Sequence, residues 1–108
     1  MDGEIRLARQ AHDLIDRGWA QHADARAADG NAVHPCDDTA TSWSLLGALV
    51  AALESVAGLD GERPAFDELA STCVRLADIV DSDSLEDWND DTARTHDEVL
   101  AALAGVAT

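Results

Sequence analysis

The sequence predicts a mainly α-helical protein, a compact four-helix domain with a short β-hairpin between the first two helices. Apolar residues recur at helical spacing through most of the chain. Capping residues precede several of these segments, and one Asp-Gly dipeptide marks a tight turn. The 108 residues fit one domain, residues 1–108.

The first helix is predicted over residues 4–21. Its helically spaced positions share one face, and they are Ile5, Ala8, His12, Ile15 and Trp19. Residues 22–37 break this spacing. Asp29-Gly30 predicts a hairpin there, because both residues tolerate a positive φ angle. Pro35 is expected to end the hairpin, since proline cannot donate to a strand ladder.

A central helix is predicted over residues 40–57, with Gly58 just past its end. The candidate N-terminal caps are Asp37, Asp38 and Thr39. Apolar or small residues cover almost the whole circumference of this helix, which is typical of a buried helix. Gly47 is expected to let a neighbouring element approach closely.

A third helix is predicted to begin at Pro64, after a turn over residues 59–63, and to reach about Asp81. Its apolar stripe comprises Phe66, Leu69, Ala70, Cys73, Ala77 and Val80. The buried face of this helix is therefore expected to follow that stripe.

Two capping patterns shape the C-terminal part. Ser84 with Asp87 predicts a capped helical turn around Trp88, and Thr95 with Glu98 opens the last helix. The inward residues of that helix are expected to be Val99, Leu100, Leu103 and Val106. The tryptophans, Trp19, Trp43 and Trp88, are expected to pack together, each indole N–H finding a partner.

The charge balance is strongly acidic. The formal net charge is −15, from 22 Asp and Glu against 7 basic residues that are all Arg. Such a balance indicates a compositional bias towards solubility first, and a docking surface for a basic partner or a DNA-mimicking surface second. Direct nucleic-acid binding and binding to an anionic membrane are not expected, because both need clustered cations.

The N-terminus, MDGEIRLARQ, is charged and has no apolar signal-peptide core, and no stretch is apolar enough to span a bilayer. With two cysteines and no secretory context, these observations predict a cytoplasmic protein with reduced thiols.

Metal, cofactor and thiol chemistry are not predicted. The potential zinc ligands, His34, Cys36, Cys73 and His96, lack the spacing of a structural zinc site. Asp81-x-Asp83 begins like a calcium loop, but the required glycine and glutamate are missing. No phosphate loop or catalytic motif is present, so no cofactor is expected.

Cys36 is flanked by carboxylates that disfavour its thiolate, so an unreactive cysteine is expected. His12 and Glu54 would form a buried acid–base pair if they met, but a satisfied core histidine is the commoner outcome.

The chain resembles an uncharacterised bacterial family, a domain-of-unknown-function family of actinobacteria and rhizobia. The resemblance rests on Gly18-Trp19, Asp29-Gly30, Pro35, Trp43, Leu46-Gly47-Ala48-Leu49, Trp88-Asn89-Asp90, Thr95 and Val99. Ser44 departs from the pattern, which has a cysteine after the tryptophan. The resemblance implies the same helical architecture and implies no activity.

Trp88, Asn89 and Asp90 are the most site-like segment, and with His12 they are the candidate ligand-binding residues. The indole of Trp88 can stack on a planar ligand, while Asn89 and Asp90 can offer hydrogen bonds. Alternatively, Trp88 fills the core while Asn89 and Asp90 hold the turn before the last helix.

The leading functional hypothesis is a non-enzymatic interaction or regulatory module that contacts another protein or a second copy of itself. One alternative is a DNA-mimic inhibitor, which requires carboxylates clustered on one face at phosphate spacing. The other is a small-molecule-binding protein or enzyme, which requires a pocket at the Trp88-Asn89-Asp90 turn.

Overall fold

The computed structural model describes the backbone of residues 2–60 and 62–107 and the side chains of residues 4–54 and 67–107. In chain order, the elements are α1 (Asp2–Arg17), β1 (Ala25–Ala27), β2 (Ala32–Val33), β3 (Ala40–Trp43), α2 (Leu45–Asp60), α3 (Glu62–Val80), α4 (Leu85–Asp90) and α5 (His96–Ala107). The mainly helical class is confirmed. The described residues hold five helices, however, and the predicted hairpin forms two strands of a three-stranded sheet.

The sheet is antiparallel throughout, with β1 between β2 and β3. The predicted Asp29-Gly30 turn joins β1 to β2, and Gly30 has a φ angle of +88°. The third strand was missed because β3 occupies residues assigned from sequence to the central helix. Its pairing with β1 is a long-range interaction that local spacing does not report.

The second helix therefore starts later than predicted. Its cap is Ser44, whose hydroxyl accepts a hydrogen bond from the Gly47 amide at 3.0 Å. Asp37, a predicted cap, instead closes a local turn by accepting from the Thr39 amide at 2.8 Å. α2 continues through Gly58 to Asp60, and α3 begins at Glu62. Four of the five residues predicted as a turn are thus helical, and residue 61 lies outside the described part.

α1 ends at Arg17, before Trp19, because the chain turns to run beside β3. The Trp43 amide donates to the Gly18 carbonyl at 3.0 Å, and the Ala20 amide donates to the Trp43 carbonyl at 2.9 Å. Gly18 is required here, since a Cβ at this position would lie 2.4 Å from the Thr41 carbonyl oxygen.

The described hydrophobic core is one cluster that α1 and α2 build with α3, α5 and the sheet. Its largest fully buried apolar side chains are Leu7, Ile15, Leu45, Leu49, Leu76, Val99, Leu103 and Val106. α1 packs against α2, α3 and α5, so the centre of the fold is shared by α1 and α2 rather than held by α2 alone.

The buried face of α3 differs from the predicted stripe. Thr72 and Leu76 are fully buried, whereas Ala70 is exposed. The Thr72 hydroxyl donates to the Glu68 carbonyl at 2.7 Å, which lets this polar residue occupy a core position. The predicted inward position of Phe66 lies outside the described side chains. No helix in the described residues has the length and apolarity to cross a membrane.

Candidate functional site

Asn89 lies at the centre of the predicted site and is completely buried. Its Oδ1 accepts from the Trp19 indole Nε1 at 2.8 Å and from the Leu45 amide at 3.0 Å. Its Nδ2 donates to the Ala20 carbonyl and to the Asp90 Oδ1, both at 3.0 Å. An Asn amide has two donor hydrogens and two acceptor lone pairs, so the side chain is fully satisfied within the protein.

Gln21 and Asp90 complete this junction between α4 and the connection that follows α1. The Gln21 Nε2 donates to the Asn89 carbonyl at 3.0 Å and to the Asp91 carbonyl at 2.9 Å, which caps the end of α4. The Asp90 Oδ1 accepts from the His22 amide at 2.9 Å. His22 has a φ angle of 63°, so this carboxylate stabilises a left-handed backbone turn.

Trp88 faces a different environment from Asn89 and Asp90. The Arg94 guanidinium lies 4.0 Å from the centroid of its ring, and the Arg94 Nε donates to the Trp88 carbonyl at 2.9 Å. The Arg94 Nη1 also contacts the Glu98 Oε2 at 3.0 Å. One face of the Trp88 indole is therefore covered by a cation that the start of α5 holds in place.

The three tryptophans share one core, as expected. Trp43 belongs to the buried cluster, and Trp19 and Trp88 pack against it. Trp19 and Trp43 are also linked through their backbones, and the Trp19 ring stacks on His96 with centroids 6.2 Å apart. The Trp43 indole N–H donates to the Pro35 carbonyl at 2.9 Å. Each ring therefore has a polar or charged partner in addition to its place in the core.

The segment does hold the fold together, but not through the local turn suggested by its sequence. That turn is made by Asp91, whose Oδ1 accepts from the Ala93 amide at 2.8 Å and whose carbonyl accepts from the Arg94 amide at 2.9 Å. Asn89 and Asp90 instead bind residues about 70 positions away in sequence, which no local pattern could indicate.

A polar groove of about 530 Å³ opens beside this junction. It is lined by His22, Ala23, Asp24, Ser44, Glu86, Asn89 and Asp90. The structure therefore brings Asn89 and Asp90 to the groove, while Trp88 and His12 are not among its lining residues. Three carboxylates, those of Asp24, Glu86 and Asp90, make the groove negatively charged.

His12 and Glu54 do not form an acid–base pair. His12 is half-buried on α1, and within the described side chains no hydrogen bond or ion pair joins the two residues. Glu54 instead lies beside the Cys36 thiol. Burial, followed by the influence of the Glu54 carboxylate, raises the pKa of Cys36 to about 11. Cys36 is therefore a neutral thiol at physiological pH.

Cys73 and the potential zinc ligands are accounted for by their surroundings in the fold. Burial raises the pKa of Cys73. The His34 Nδ1 accepts from the Cys36 amide at 3.0 Å, a local turn contact. Among the side chains that the structure describes, no three His, Cys, Asp or Glu residues converge as metal ligands.

Sequence reasoning missed an exposed surface on α3. Val74 lies in the middle of the helix and is 70% exposed. Two shallow hollows flank it, of about 390 and 580 Å³. With it, the hollows are lined by Ala70 and Ala77, and by the exposed carboxylates of Asp78, Asp81 and Asp83. We call Val74 and these five residues the α3 face. The sequence held one indication of this surface: Val74 is a large apolar residue that does not belong to the predicted apolar stripe of the third helix.

The comparisons with known proteins yield one family and no function. No curated protein and no solved structure is similar to the chain at a significant level. The family match covers residues 4–108, which is nearly the whole chain and includes both the polar groove and the α3 face. The chain belongs to the family of unknown function DUF6197.

Proposed function

We propose that this chain is a protein-interaction module that uses the α3 face to dock a protein with a positively charged contact surface. The carrying observation is the exposure of Val74 in the middle of a helix whose surrounding surface is acidic. Apolar patches rimmed by polar residues mark interaction sites, and Val74 supplies the apolar centre of this surface. The hollows on both sides of Val74 offer shape to a partner as well as apolar contact.

Charge defines the partner. Three exposed aspartates, Asp78, Asp81 and Asp83, line one of the hollows beside Val74. Arg75 lines both hollows, but it lies 3.6 Å from the Glu4 carboxylate, which already offsets its charge. A partner that contributes Lys or Arg to the rim would complement these carboxylates and associate quickly at low salt.

The same charges disfavour a second copy of this chain as the partner. Each copy carries a net charge of −15, so a symmetric dimer through the α3 face would bring two acidic rims together. Like charges facing each other across an interface oppose association. A basic protein of different sequence therefore fits this surface better than a homodimer does.

The distribution of acidic residues favours this proposal over DNA mimicry. Exposed carboxylates lie on α1, the hairpin turn, the β2–β3 loop, α3, α4 and α5, rather than on one face. A DNA mimic needs one surface with phosphate-like spacing. The proposal also fits the predicted absence of catalytic motifs, since docking requires only a surface.

The test uses a photo-crosslinking amino acid at position 74, with the same group at Ala28 in the hairpin turn as a matched exposed control. We expect one native-host protein to crosslink from position 74 and not from position 28. The captured protein is then purified, and its affinity is measured calorimetrically for the wild type and for the Val74→Asp and Ala28→Asp variants.

We expect Val74→Asp to weaken binding at least about tenfold, because an anchor side chain typically contributes about 1–2 kcal/mol or more. Ala28→Asp should leave the affinity unchanged, and added salt should weaken binding. Equal affinity of the partner for both variants would overturn the proposal. So would analytical ultracentrifugation that shows a homodimer of this chain that Val74→Asp disrupts.

A further inference from the structure

We propose that a cleft between α1, the β2–β3 loop and α2, distinct from the polar groove, binds a small molecule with an apolar body and a protonated amine. The cleft has a volume of about 290 Å³. This is close to the lower end of known ligand pockets, about 300 Å³, so it suits a small metabolite rather than a dinucleotide. The cleft is separate from the α3 face, so the inference is independent of the docking proposal.

The base of the cleft is apolar and rigid. It is formed by Leu14, Pro35, Trp43 and Ala52, of which Trp43 is 7% and Ala52 only 1% exposed. The Trp43 indole N–H is already bonded to the Pro35 carbonyl at 2.9 Å. The indole therefore offers a ligand its ring and no donor, and the bond fixes the ring in advance.

The rim of the cleft is polar, and several of its polar atoms have no hydrogen-bond partner within the described residues. Asp13 and Arg17 line it, one helical turn apart on α1, and within the described residues neither side chain forms a hydrogen bond or an ion pair. Asp37 lines the opposite side, where its Oδ1 accepts from the Thr39 amide and hydroxyl, at 2.8 and 2.7 Å. Its Oδ2 makes no such bond and can accept from a ligand.

The balance of charge around the cleft selects an amine. Asp13 and Asp37 outnumber the single cation Arg17, and the Glu54 carboxylate lies beside Cys36 in the wall. The whole molecule adds a negative field that concentrates cations and repels anions. A ligand of this kind would place its ammonium group beside the carboxylates of the rim and its apolar body against the apolar base at Trp43.

Cys36 contributes a neutral wall and not a nucleophile. Burial and the neighbouring Glu54 carboxylate keep its thiol protonated, so the ligand binds without covalent attachment. No bond forms or breaks in this proposal. The thiol nonetheless serves as a local reporter of occupancy.

The test titrates the protein with 2-phenylethylamine, followed by calorimetry and by backbone and indole NMR shifts. Two analogues of the same shape are compared, neutral 2-phenylethanol and anionic 3-phenylpropanoate. We expect the amine to bind at least about tenfold more tightly than the anion, because a charge-assisted hydrogen bond replaces a repulsion. The shifts should cluster at residues 35–37 and at the Trp43 indole.

The matched variants are Asp13→Asn and Asp16→Asn. Both remove one exposed carboxylate from α1, but only Asp13 lines the cleft. We expect Asp13→Asn to weaken amine binding about five- to tenfold, as expected for loss of one charge-assisted contact. Asp16→Asn should change it less than twofold.

Three results would overturn the inference. The first is no binding of the amine at millimolar concentration. The second is shifts centred on the polar groove at Asp24 and Glu86, which would indicate general attraction to acid. The third is an equal effect of the two α1 variants.

Discussion

One side chain, that of Asn89, joins three parts of the chain that are distant in sequence. It fixes the Trp19 indole, the first amide of α2 and the Ala20 carbonyl at a point that solvent does not reach. Buried polar groups are tolerated only when their partners are present. The strong sequence signal at Trp88-Asn89-Asp90 is therefore accounted for by a structural junction, while Asp90 and the adjoining groove remain open to a ligand.

Replacing Asn89 with Ala should destabilise the protein by about 3 kcal/mol or more. Several buried donors and acceptors would lose their partners, each at a cost of roughly 1–3 kcal/mol. Urea unfolding followed by circular dichroism measures the change. Asn31→Ala, an exposed amide in the hairpin turn, is the control and should change stability by less than about 0.5 kcal/mol. A similar loss in both variants would contradict the junction role of Asn89.

Cys36 should react slowly with iodoacetamide. With a pKa of about 11, roughly one thiol in a thousand is ionised at about pH 8, against about one in four for an ordinary cysteine. In a Cys73→Ser background, we expect alkylation at least about tenfold slower in the folded protein than in urea. Glu54→Gln should accelerate the folded-state reaction and shift its pH profile to lower pH. An unchanged profile would show that Glu54 does not control the thiol.

At the scale of elements, close backbone approaches set the geometry of the sheet and the helices. A Cβ at Gly47 would lie 1.9 Å from the Asp24 carbonyl oxygen, so the start of α2 packs directly on the segment before β1. The sequence prediction that Gly47 permits a close neighbour is confirmed. The neighbour is a carbonyl group, which cannot retreat as a flexible side chain can.

Gly47→Ala should therefore unfold or strongly destabilise the protein, by about 2–4 kcal/mol, despite the higher helix propensity of alanine. Gly105→Ala in α5 is the matched control. Among the described residues its Cβ would meet the flexible Ile79 side chain, with Cδ1 at 3.4 Å and Cγ2 at 3.8 Å, so we expect it to be neutral or to stabilise by up to about 1 kcal/mol. Thermal unfolding compares the two, and equal behaviour would contradict the steric argument.

The elements that depend on local chemistry were predictable from sequence. The Ser84 hydroxyl accepts from the Asp87 amide at 3.2 Å, and Thr95 and Glu98 form the reciprocal capping box that opens α5. β3 was not predictable in this way, since capping-type residues precede it and its partners in β1 lie 13 to 18 residues away in sequence. The site followed the same rule. The Trp88-Asn89-Asp90 segment could be recognised because its three residues are consecutive in sequence. The cleft proposed to bind an amine could not, because its lining comes from three separate segments, α1, the β2–β3 loop and α2.

At the scale of the whole molecule, the dominant feature is uncompensated negative charge. The net charge of −15 is carried by a body that measures 34 × 31 × 20 Å. At low ionic strength the Debye length, about 30 Å at 0.01 M salt, spans the molecule, so nearly every carboxylate repels the others. Self-repulsion of this kind destabilises the compact state.

Sodium chloride should therefore raise the melting temperature by several degrees between about 10 and about 100 mM, where the Debye length falls from about 30 to about 10 Å. Differential scanning fluorimetry measures this shift. Choline chloride should act equally, because screening depends on ionic strength and not on a bound cation. A rise seen only with sodium would instead indicate a specific ion site.

The packing of α1 against α5 also has a consequence during synthesis. Leu7 and Ile15 of α1 are fully buried, and the extensive contact between α1 and α5 contributes to that burial. The ribosome makes α5 about 80 residues after α1 ends. Part of the apolar face of α1 therefore stays uncovered until α5 has emerged from the ribosome, which makes α1 a candidate chaperone-binding segment.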